Sequence, residues 1–366
     1  MELRKYQALL RDQPSWGELA TFVPNKRLPV YNWFYYKEGF ARDLVWQLLD
    51  LFRVAPGEKV LDPFCGSGTT LLACKQRGVN AVGVDSLGMA VLASIVKTAD
   101  YQPGELREQA EELFRQPFRA GPVPKGEHAR FFAKPLLQDI IFFREEVEEI
   151  ADPQVKGFFL LGLITAGIQC SYAWKDGTML KVRKHPVPPF RKFYQRRVKD
   201  MIKDMETAPA GAGKIMVGRG DARTLEFADN SFAAAITSPP YLNQVDYGRV
   251  YRLEEWMLGW GVEGQQYVGA SAEQDYFQDM GRALQEMHRV LRPGGRAAVV
   301  VASSYFPQED RIVESDLLLA RAAEGIGFHV PEILVLNKRF ALQHRSIQRG
   351  VLRESLLILE KPRERS

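Results

Sequence analysis

Asp62-Pro63-Phe64-Cys65-Gly66-Ser67-Gly68-Thr69-Thr70 follows the short apolar run Lys59-Val60-Leu61 and leads into a helical pattern, Thr69 to Arg77, that Gly78 stops. A strand, a Gly-x-Gly turn and a helix in succession let the backbone approach a ligand where side chains would collide. The helix N-terminus beyond offers unpaired N–H groups to a carboxylate or phosphate. The same glycines also suit a plain βα turn, so the loop alone does not decide. It lacks the G-K-[ST] ending of a phosphate-cradling loop, which argues against a nucleoside triphosphate. Asn80 to Asp85 (NAVGVD) reads as a second strand and Met89 to Thr98 as a second helix. Asp85 ends that strand, where a carboxylate can accept both hydroxyls of a ribose; capping the next helix is the alternative role. The β-loop-α-β order predicts an α/β fold, a Rossmann-like doubly wound sheet.

Outward from this unit, Leu44, Val45, Leu48, Leu49 and Phe52 fall at helical spacing and predict a helix over Ala41–Phe52. Residues 1–30 carry little periodic signal. Beyond Thr98 the alternation pauses, and residues 102–213 read as a mostly helical, charged module with helices over Phe131–Ile150 and Gln154–Trp174. A basic, proline-containing segment follows, then a flexible connector, Thr207 to Lys214 (TAPAGAGK). Alternation resumes with strands at Ile215–Val217, Ala233–Thr237, Arg296–Val301, Glu332–Leu336 and Ser355–Leu359, and a helix over Gln274–Leu291. Residues 31–101 and 214–366 therefore form one core, and 102–213 an insertion whose ends lie close together.

Across 366 residues, 46% apolar and 26% charged composition is that of an ordinary globular chain, and a net charge of +4 is too mild to identify a nucleic-acid partner by itself. Cys65, Cys74 and Cys170 form no C-x-x-C pair and fit a reducing compartment. The N-terminus has no signal-peptide core, and Gly157–Cys170 is too short to cross a bilayer; the expectation is a cytoplasmic protein with no membrane and no metal site.

Ser238-Pro239-Pro240-Tyr241 follows the strand AAAIT and so sits at a carboxyl end of the sheet, where open α/β sheets place ligands. Two prolines fix the backbone, remove two N–H donors and leave carbonyls as acceptors. Ser238 adds a hydroxyl acceptor and Tyr241 an aromatic face, so the tetrapeptide suits a planar base bearing an –NH2 donor. A rigid loop with Tyr241 in the core is the plainer alternative.

Together, DPFCGSGTT and TSPPY resemble the two signature motifs of the S-adenosylmethionine-dependent DNA amino-methyltransferases (cytosine-N4 / adenine-N6). Asn32 to Phe40 resembles that family's other cofactor motif, Gly220-Asp221 its adenine-contacting motif, Val290 to Gly295 the turn before a later core strand, and RGVLRESLLILEK its closing strand. The resemblance implies S-adenosyl-L-methionine as cofactor, held by Tyr36, Lys37, Phe40, Asp62, Phe64, Gly66, Gly68, Thr69, Asp85 and Asp221. It implies catalysis by Ser238, Pro239, Pro240 and Tyr241, through direct methyl transfer to a flipped base. Serine in first position is typical of the cytosine-N4 branch. The partners implied are duplex DNA and a cognate restriction endonuclease acting on the same site. Adenine-N6 and RNA-base amino-methylation stay open, as does a catalytically silent DNA-binding subunit; glutamine methylation is disfavoured because that group resembles Asn-Pro-Pro-Tyr.

Lys181 to Lys199 (KVRKHPVPPFRKFYQRRVK) has no acid and interleaves Phe190, Phe193 and Tyr194 with Lys181, Arg183, Lys184, Arg191, Lys192, Arg196, Arg197 and Lys199. This pattern suits phosphate neutralisation with aromatics near bases, against the alternative of a solvated helix face. The insertion is thus the expected target-recognition region. Asn243 to Arg252, with Asp246 and Tyr247 as its candidate side chains, is expected either to close over the base or to form a structured surface loop, and Gln343 to Arg349 offers another basic contact.

Overall fold

Strand residues alternate strictly between two buried faces. Val60, Ala234, Ala298, Leu356 and Ile358 pack on one side of the central sheet, while their neighbours Leu61, Ala235, Ala297, Leu357 and Leu359 pack on the other. Such alternation, apolar on both sides, requires a sheet covered on both faces. The computed structural model describes residues 3–123, 125–175, 179–208, 210–242, 247–259, 272–343 and 347–363, without the side chains of 342–343 and 347–348. Its strands are β1 (Leu10–Asp12), β2 (Lys59–Asp62), β3 (Asn80–Asp85), β4 (Ala173–Lys175), β5 (Leu180–Val182), β6 (Ile215–Arg219), β7 (Phe232–Thr237), β8 (Leu291–Ala302), β9 (Ser304–Phe306), β10 (Arg311–Val313), β11 (His329–Gln343) and β12 (Ile347–Glu360). Its α-helices are α1 (Arg4–Gln7), α2 (Arg42–Phe52), α3 (Thr69–Gln76), α4 (Gly88–Thr98), α5 (Pro103–Arg115), α6 (Lys134–Glu148), α7 (Pro153–Gln169), α8 (Phe190–Thr207), α9 (Tyr247–Val250), α10 (Arg252–Leu258), α11 (Glu273–Val290) and α12 (Ser315–Ile326).

Eight strands form one sheet in the order β1-β11-β12-β8-β7-β2-β3-β6. The pairs from β8 to β6 are all parallel, and β12 runs antiparallel between β8 and β11. The chain leaves β2 towards β3 and β6, then returns to β7 on β2's other side, so a topological switch lies between β2 and β7. Helices α2 and α3 cover one face and α11 and α12 the other. The fold is α/β, a Rossmann-like doubly wound sheet with a helical insertion.

Several expectations need correcting. The helix expected over Gln154–Trp174 ends at Gln169, and Trp174 lies on β4 of a small β4–β5 hairpin. The basic, proline-containing segment becomes, from Phe190, the 18-residue helix α8, whose Phe190, Tyr194, Val198, Met201 and Ile202 are buried at helical spacing. Residues 1–30 supply the edge strand β1, parallel to β11, and Asn25, which is fully buried. The insertion does not have a core of its own: α5–α8 share one apolar cluster with Met89, Ala90, Ala93 and Val96 of α4 and with Trp33. Nor is the connector 207–214 free. A Cβ on Gly211 or Gly213 would collide with the backbone of Lys75 or Val79. Buried Lys75 gathers both ends of the insertion: its Nζ donates to the Thr98 carbonyl (2.7 Å) and to Asp100 (2.6 Å), and its carbonyl accepts from Gly213 N (3.2 Å).

Candidate active site

At the switch point the carboxyl ends of four strands meet. The loops after β2, β3, β6 and β7 contribute Pro63 and Phe64, Asp85 to Leu87, Gly220 to Ala222, and Ser238 with Pro240 to one cleft; Tyr36, Glu38 and Tyr247 close its side. Two motifs far apart in the sequence are thereby walls of a single hollow.

The glycine loop is held by its neighbours rather than by its own side chains. Gly66 has φ +50° and its N–H donates to Asp85 (2.8 Å); a Cβ there would lie 3.0 Å from the Tyr36 ring. Gly68 has φ +78°, and its Cβ would run into Ser94, whose hydroxyl donates to the Gly66 carbonyl. Both positions need glycine, for conformation and for space. Asp85 also accepts from Leu87 N (2.9 Å). Burial pushes its carboxyl up to about 6 against these hydrogen bonds. Asp62, buried, accepts from the Thr237 hydroxyl (2.7 Å) and Phe64 N, and burial pushes it to about 6 as well. The bond to Thr237 ties the end of β2 to the end of β7. Asp221 is clasped by Arg223 (2.6 Å), itself bonded to Asp279; burial works to raise Asp221's pKa, but the Arg223 bonds outweigh it and hold the carboxyl below its usual range.

Two tyrosines, Tyr36 and Tyr247, line the side wall, and Tyr251 stacks with them outside the cleft. Tyr36 and Tyr251 stack with centroids 5.1 Å apart and 14° between planes, Tyr247 stacks on Tyr36 at 6.3 Å, and the Tyr251 hydroxyl donates to Glu38. Burial raises the pKa of all three phenols, keeping them neutral donors. Sequence reasoning does not find Tyr251 and Glu38, because their meeting spans more than 200 residues.

The remaining expected residues divide. Thr69 is buried and its hydroxyl accepts from Asn25, which also donates to the Phe40 carbonyl, so Phe40 and Thr69 support the loop from behind and do not line the cleft. Lys37 lines a neighbouring hollow with Phe34, Lys175 and Tyr251. Pro239 is buried, and the Pro240 carbonyl accepts from Tyr276 (3.1 Å). Tyr241 turns away from the cleft: its hydroxyl donates to Glu354 (3.0 Å), on the far side of the tetrapeptide. Asp246 lies outside the described residues.

On the insertion, Lys181, Arg183, Lys184, Lys192, Arg196 and Lys199 are exposed, and Arg183 sits over the half-exposed ring of Trp174 (5.0 Å). Two expected DNA contacts are internal instead. Arg191 donates to the carbonyls of Phe114 and Gln116, and Arg197 to those of Asn32 and Trp33. Phe190 and Tyr194 are core residues, with the Tyr194 hydroxyl on the Phe159 carbonyl. Only Arg349 of the expected Gln343–Arg349 contact has a described side chain, and it pairs with Asp310 (3.2 Å). Among the described residues no group of three or more His, Cys, Asp or Glu could hold a metal ion, and no helix is long and apolar enough to cross a membrane.

A family model described as DNA methylase (N6_N4_Mtase) matches residues 25–91, the stretch from Asn25 through the glycine loop to α4. The chain is 24% identical to the Type II methyltransferase M.BsoBI of Geobacillus stearothermophilus, an alignment covering 98% of this chain and 91% of that protein. It is likewise 24% identical to M.AvaI of Anabaena variabilis, over 99% and 91%. These matches support the DNA amino-methyltransferase family for this chain. S-adenosyl-L-methionine is the cofactor of this methyltransferase. A shorter match, 38% identical over 34% of this chain and 21% of the other, is to M.MjaII of Methanocaldococcus jannaschii.

Proposed function

We propose that this methyltransferase modifies the exocyclic N4 amino group of cytosine at a specific site in duplex DNA, on a base flipped into the cleft. The observation that carries the reading is that Ser238 and Pro240 share one cleft with Asp85, Asp221 and Tyr36. A target amino group and a cofactor bound there would face each other. The cofactor supplies, when bound, a sulfonium-activated methyl group. The cradle suits it: Gly66 and Gly68 let the loop pack against Tyr36 and Ser94 and so set Pro63 and Phe64 on the cleft wall, Asp85 can accept from ribose hydroxyls, and Asp221 reaches the cleft wall where the adenine amino group would lie.

The chain's own contribution is orientation. The Pro240 carbonyl is engaged by Tyr276, and the Ser238 hydroxyl and the Pro239 carbonyl are the acceptors we assign to the two hydrogens of an –NH2 group. Held so, the nitrogen lone pair stands out of the base plane towards the methyl donor. Cleft walls of Phe64, Tyr36 and Tyr247 exclude water and offer π-faces to a planar ring. The exposed cations of the β4–β5 hairpin and α8, together with Arg183 over the Trp174 ring, are suited to DNA phosphates. Serine at 238 favours cytosine N4 through the resemblance of SPPY to that branch; adenine N6 is the second reading.

Transfer of a labelled methyl group to unmethylated genomic DNA, followed by nucleoside identification, tests this. N4-methylcytosine is the expected product. N6-methyladenine would move the enzyme to the other branch, and label in RNA but not in DNA would overturn the reading.

A further inference from the structure

Acids and rings line the cleft beside the glycine loop. Of the described residues around it, Glu38, Asp85 and Asp221 carry charge, all of it negative, and Tyr36, Phe64 and Tyr247 are aromatic. Two of the three carboxylates are already answered by the protein. Asp221 is clasped by Arg223 through bonds of 2.6 to 3.0 Å, and each oxygen of Asp85 accepts a backbone N–H, from Gly66 (2.8 Å) and Leu87 (2.9 Å). Glu38 differs. It is half-buried, its Oε2 accepts from the Tyr251 hydroxyl (2.8 Å), and no cation among the described residues pairs with it. It also borders the neighbouring hollow with Lys37 and Lys175, but Lys37 is exposed and Lys175 is taken by Glu254 (2.5 Å).

We propose that Glu38 is the binding residue for the α-ammonium group of S-adenosyl-L-methionine. The proposal rests on the reading that the cofactor occupies this cleft. The cofactor brings two cations of different chemistry. A sulfonium has no N–H to donate and is answered by π-faces, which Tyr36, Phe64 and Tyr247 supply. An ammonium carries three N–H donors and bonds most strongly to a charged acceptor. Asp85 and Asp221 serve the adenosine end in that reading, so Glu38 is the carboxylate left for the methionine end. The division also suits the reaction. Methyl transfer discharges the sulfur, so a carboxylate against the sulfonium would hold the reactant more tightly than the transition state and slow the step. On the ammonium, whose charge does not change, the same carboxylate binds both states equally. The Tyr251 hydroxyl occupies one Glu38 oxygen and leaves the other for the ligand.

Glu38→Gln keeps the size of the side chain and an acceptor for Tyr251, and removes the charge. Isothermal titration calorimetry should show the affinity for S-adenosyl-L-homocysteine, which keeps the ammonium and lacks the sulfonium, weakened about 10- to 50-fold. The affinity for S-adenosyl-L-methionine should fall by the same factor to within about twofold. 5′-Methylthioadenosine, which has neither cation, should bind as it does to wild type, again within about twofold. Equal loss for all three ligands would mean that Glu38 only props the tyrosine stack, and overturns the proposal. A loss for S-adenosyl-L-methionine alone puts the carboxylate on the sulfonium and overturns it as well. Unchanged binding of S-adenosyl-L-homocysteine, in a protein where Gly66→Val abolishes that binding, overturns the role of Glu38 and leaves the cofactor in the cleft. If Gly66→Val also spares binding, the cofactor lies elsewhere and the reading beneath the proposal falls with it. If Glu38→Gln does not fold, wild-type protein decides. It should bind S-adenosyl-L-homocysteine at least about 10-fold more tightly than the analogue with hydrogen in place of the α-amino group, and equal affinities overturn the proposal.

Discussion

Gly66 and Asp85 together show how much of the cofactor cradle is backbone. Gly66 sits at positive φ with the Tyr36 ring 3.0 Å from where a Cβ would be, so Gly66→Val should abolish S-adenosyl-L-methionine binding in a chain that still folds. Equilibrium dialysis with near-UV circular dichroism reads both. Asp85 gives a pH dependence. Its carboxyl, raised to about 6 by burial, can accept freely at both oxygens only when ionised. Cofactor affinity should therefore be full above that value and fall as the pH drops through about 6. Asp85→Asn should bind more weakly and show a flatter profile; an unchanged slope in that variant would assign the titration elsewhere, with Asp62, also near 6, the next group to test. Ser238→Ala should lower turnover while sparing cofactor binding, since Ser238 lines the cleft on the loop after β7, apart from the glycine loop.

At the scale of elements, α8 separates two kinds of cation that composition alone confuses. Arg197 reaches back to the Asn32 and Trp33 carbonyls and Trp33 Nε1 donates to Asp204, so α8 fastens the segment that carries Tyr36. Replacing Arg197 with Leu should cost about 2–4 kcal/mol of stability by stranding those carbonyls, read by urea unfolding. Replacing exposed Lys192 or Lys184 with Ala should leave stability unchanged and weaken DNA binding, with the salt slope reduced by about 1 for each phosphate no longer neutralised. The helix is hidden in the sequence because Pro186, Pro188 and Pro189 and the surrounding basic residues obscure a regular apolar stripe, Phe190–Tyr194–Val198–Met201. By contrast, β2, α3 and β3 lie within about one residue of their expected bounds, because a short buried strand, a glycine turn and a helix stop are all local signals. Strand β1, three residues long, has no such signal; its pairing with β11 is decided more than 300 residues away. Helix α12 is not foreseen from the sequence, and the final hairpin runs well past the two short strands expected there. The site follows the same rule. Both signature motifs are legible, but Asn25, Tyr251 and Glu354 enter only through contacts distant in sequence.

For the whole molecule, the insertion serves as a second cover for the cofactor side of the core. Met89, Ala90, Ala93 and Val96 of α4, together with Trp33, Tyr36 and Tyr251, lie in the same apolar cluster as α5–α8. Deleting 102–213 and joining the ends would expose that face, so the truncated chain should lose near-UV dichroism and cofactor binding rather than persist as a minimal methyltransferase. A deletion that still binds S-adenosyl-L-methionine tightly would show that the core closes without it.

Lys75 gives this arrangement a different meaning. Because one buried side chain and its own carbonyl hold the two ends of the insertion, the points where the chain leaves and re-enters the sheet are fixed together on the helix behind the glycine loop. A module of another length or sequence would have to keep those two ends, an apolar underside for α4 and the bonds that Arg197 and Asp204 make to Asn32 and Trp33. If the insertion reads the target, as proposed, exchanging it between such enzymes as a cartridge would carry target preference with it and leave the cleft at Ser238 as it stands.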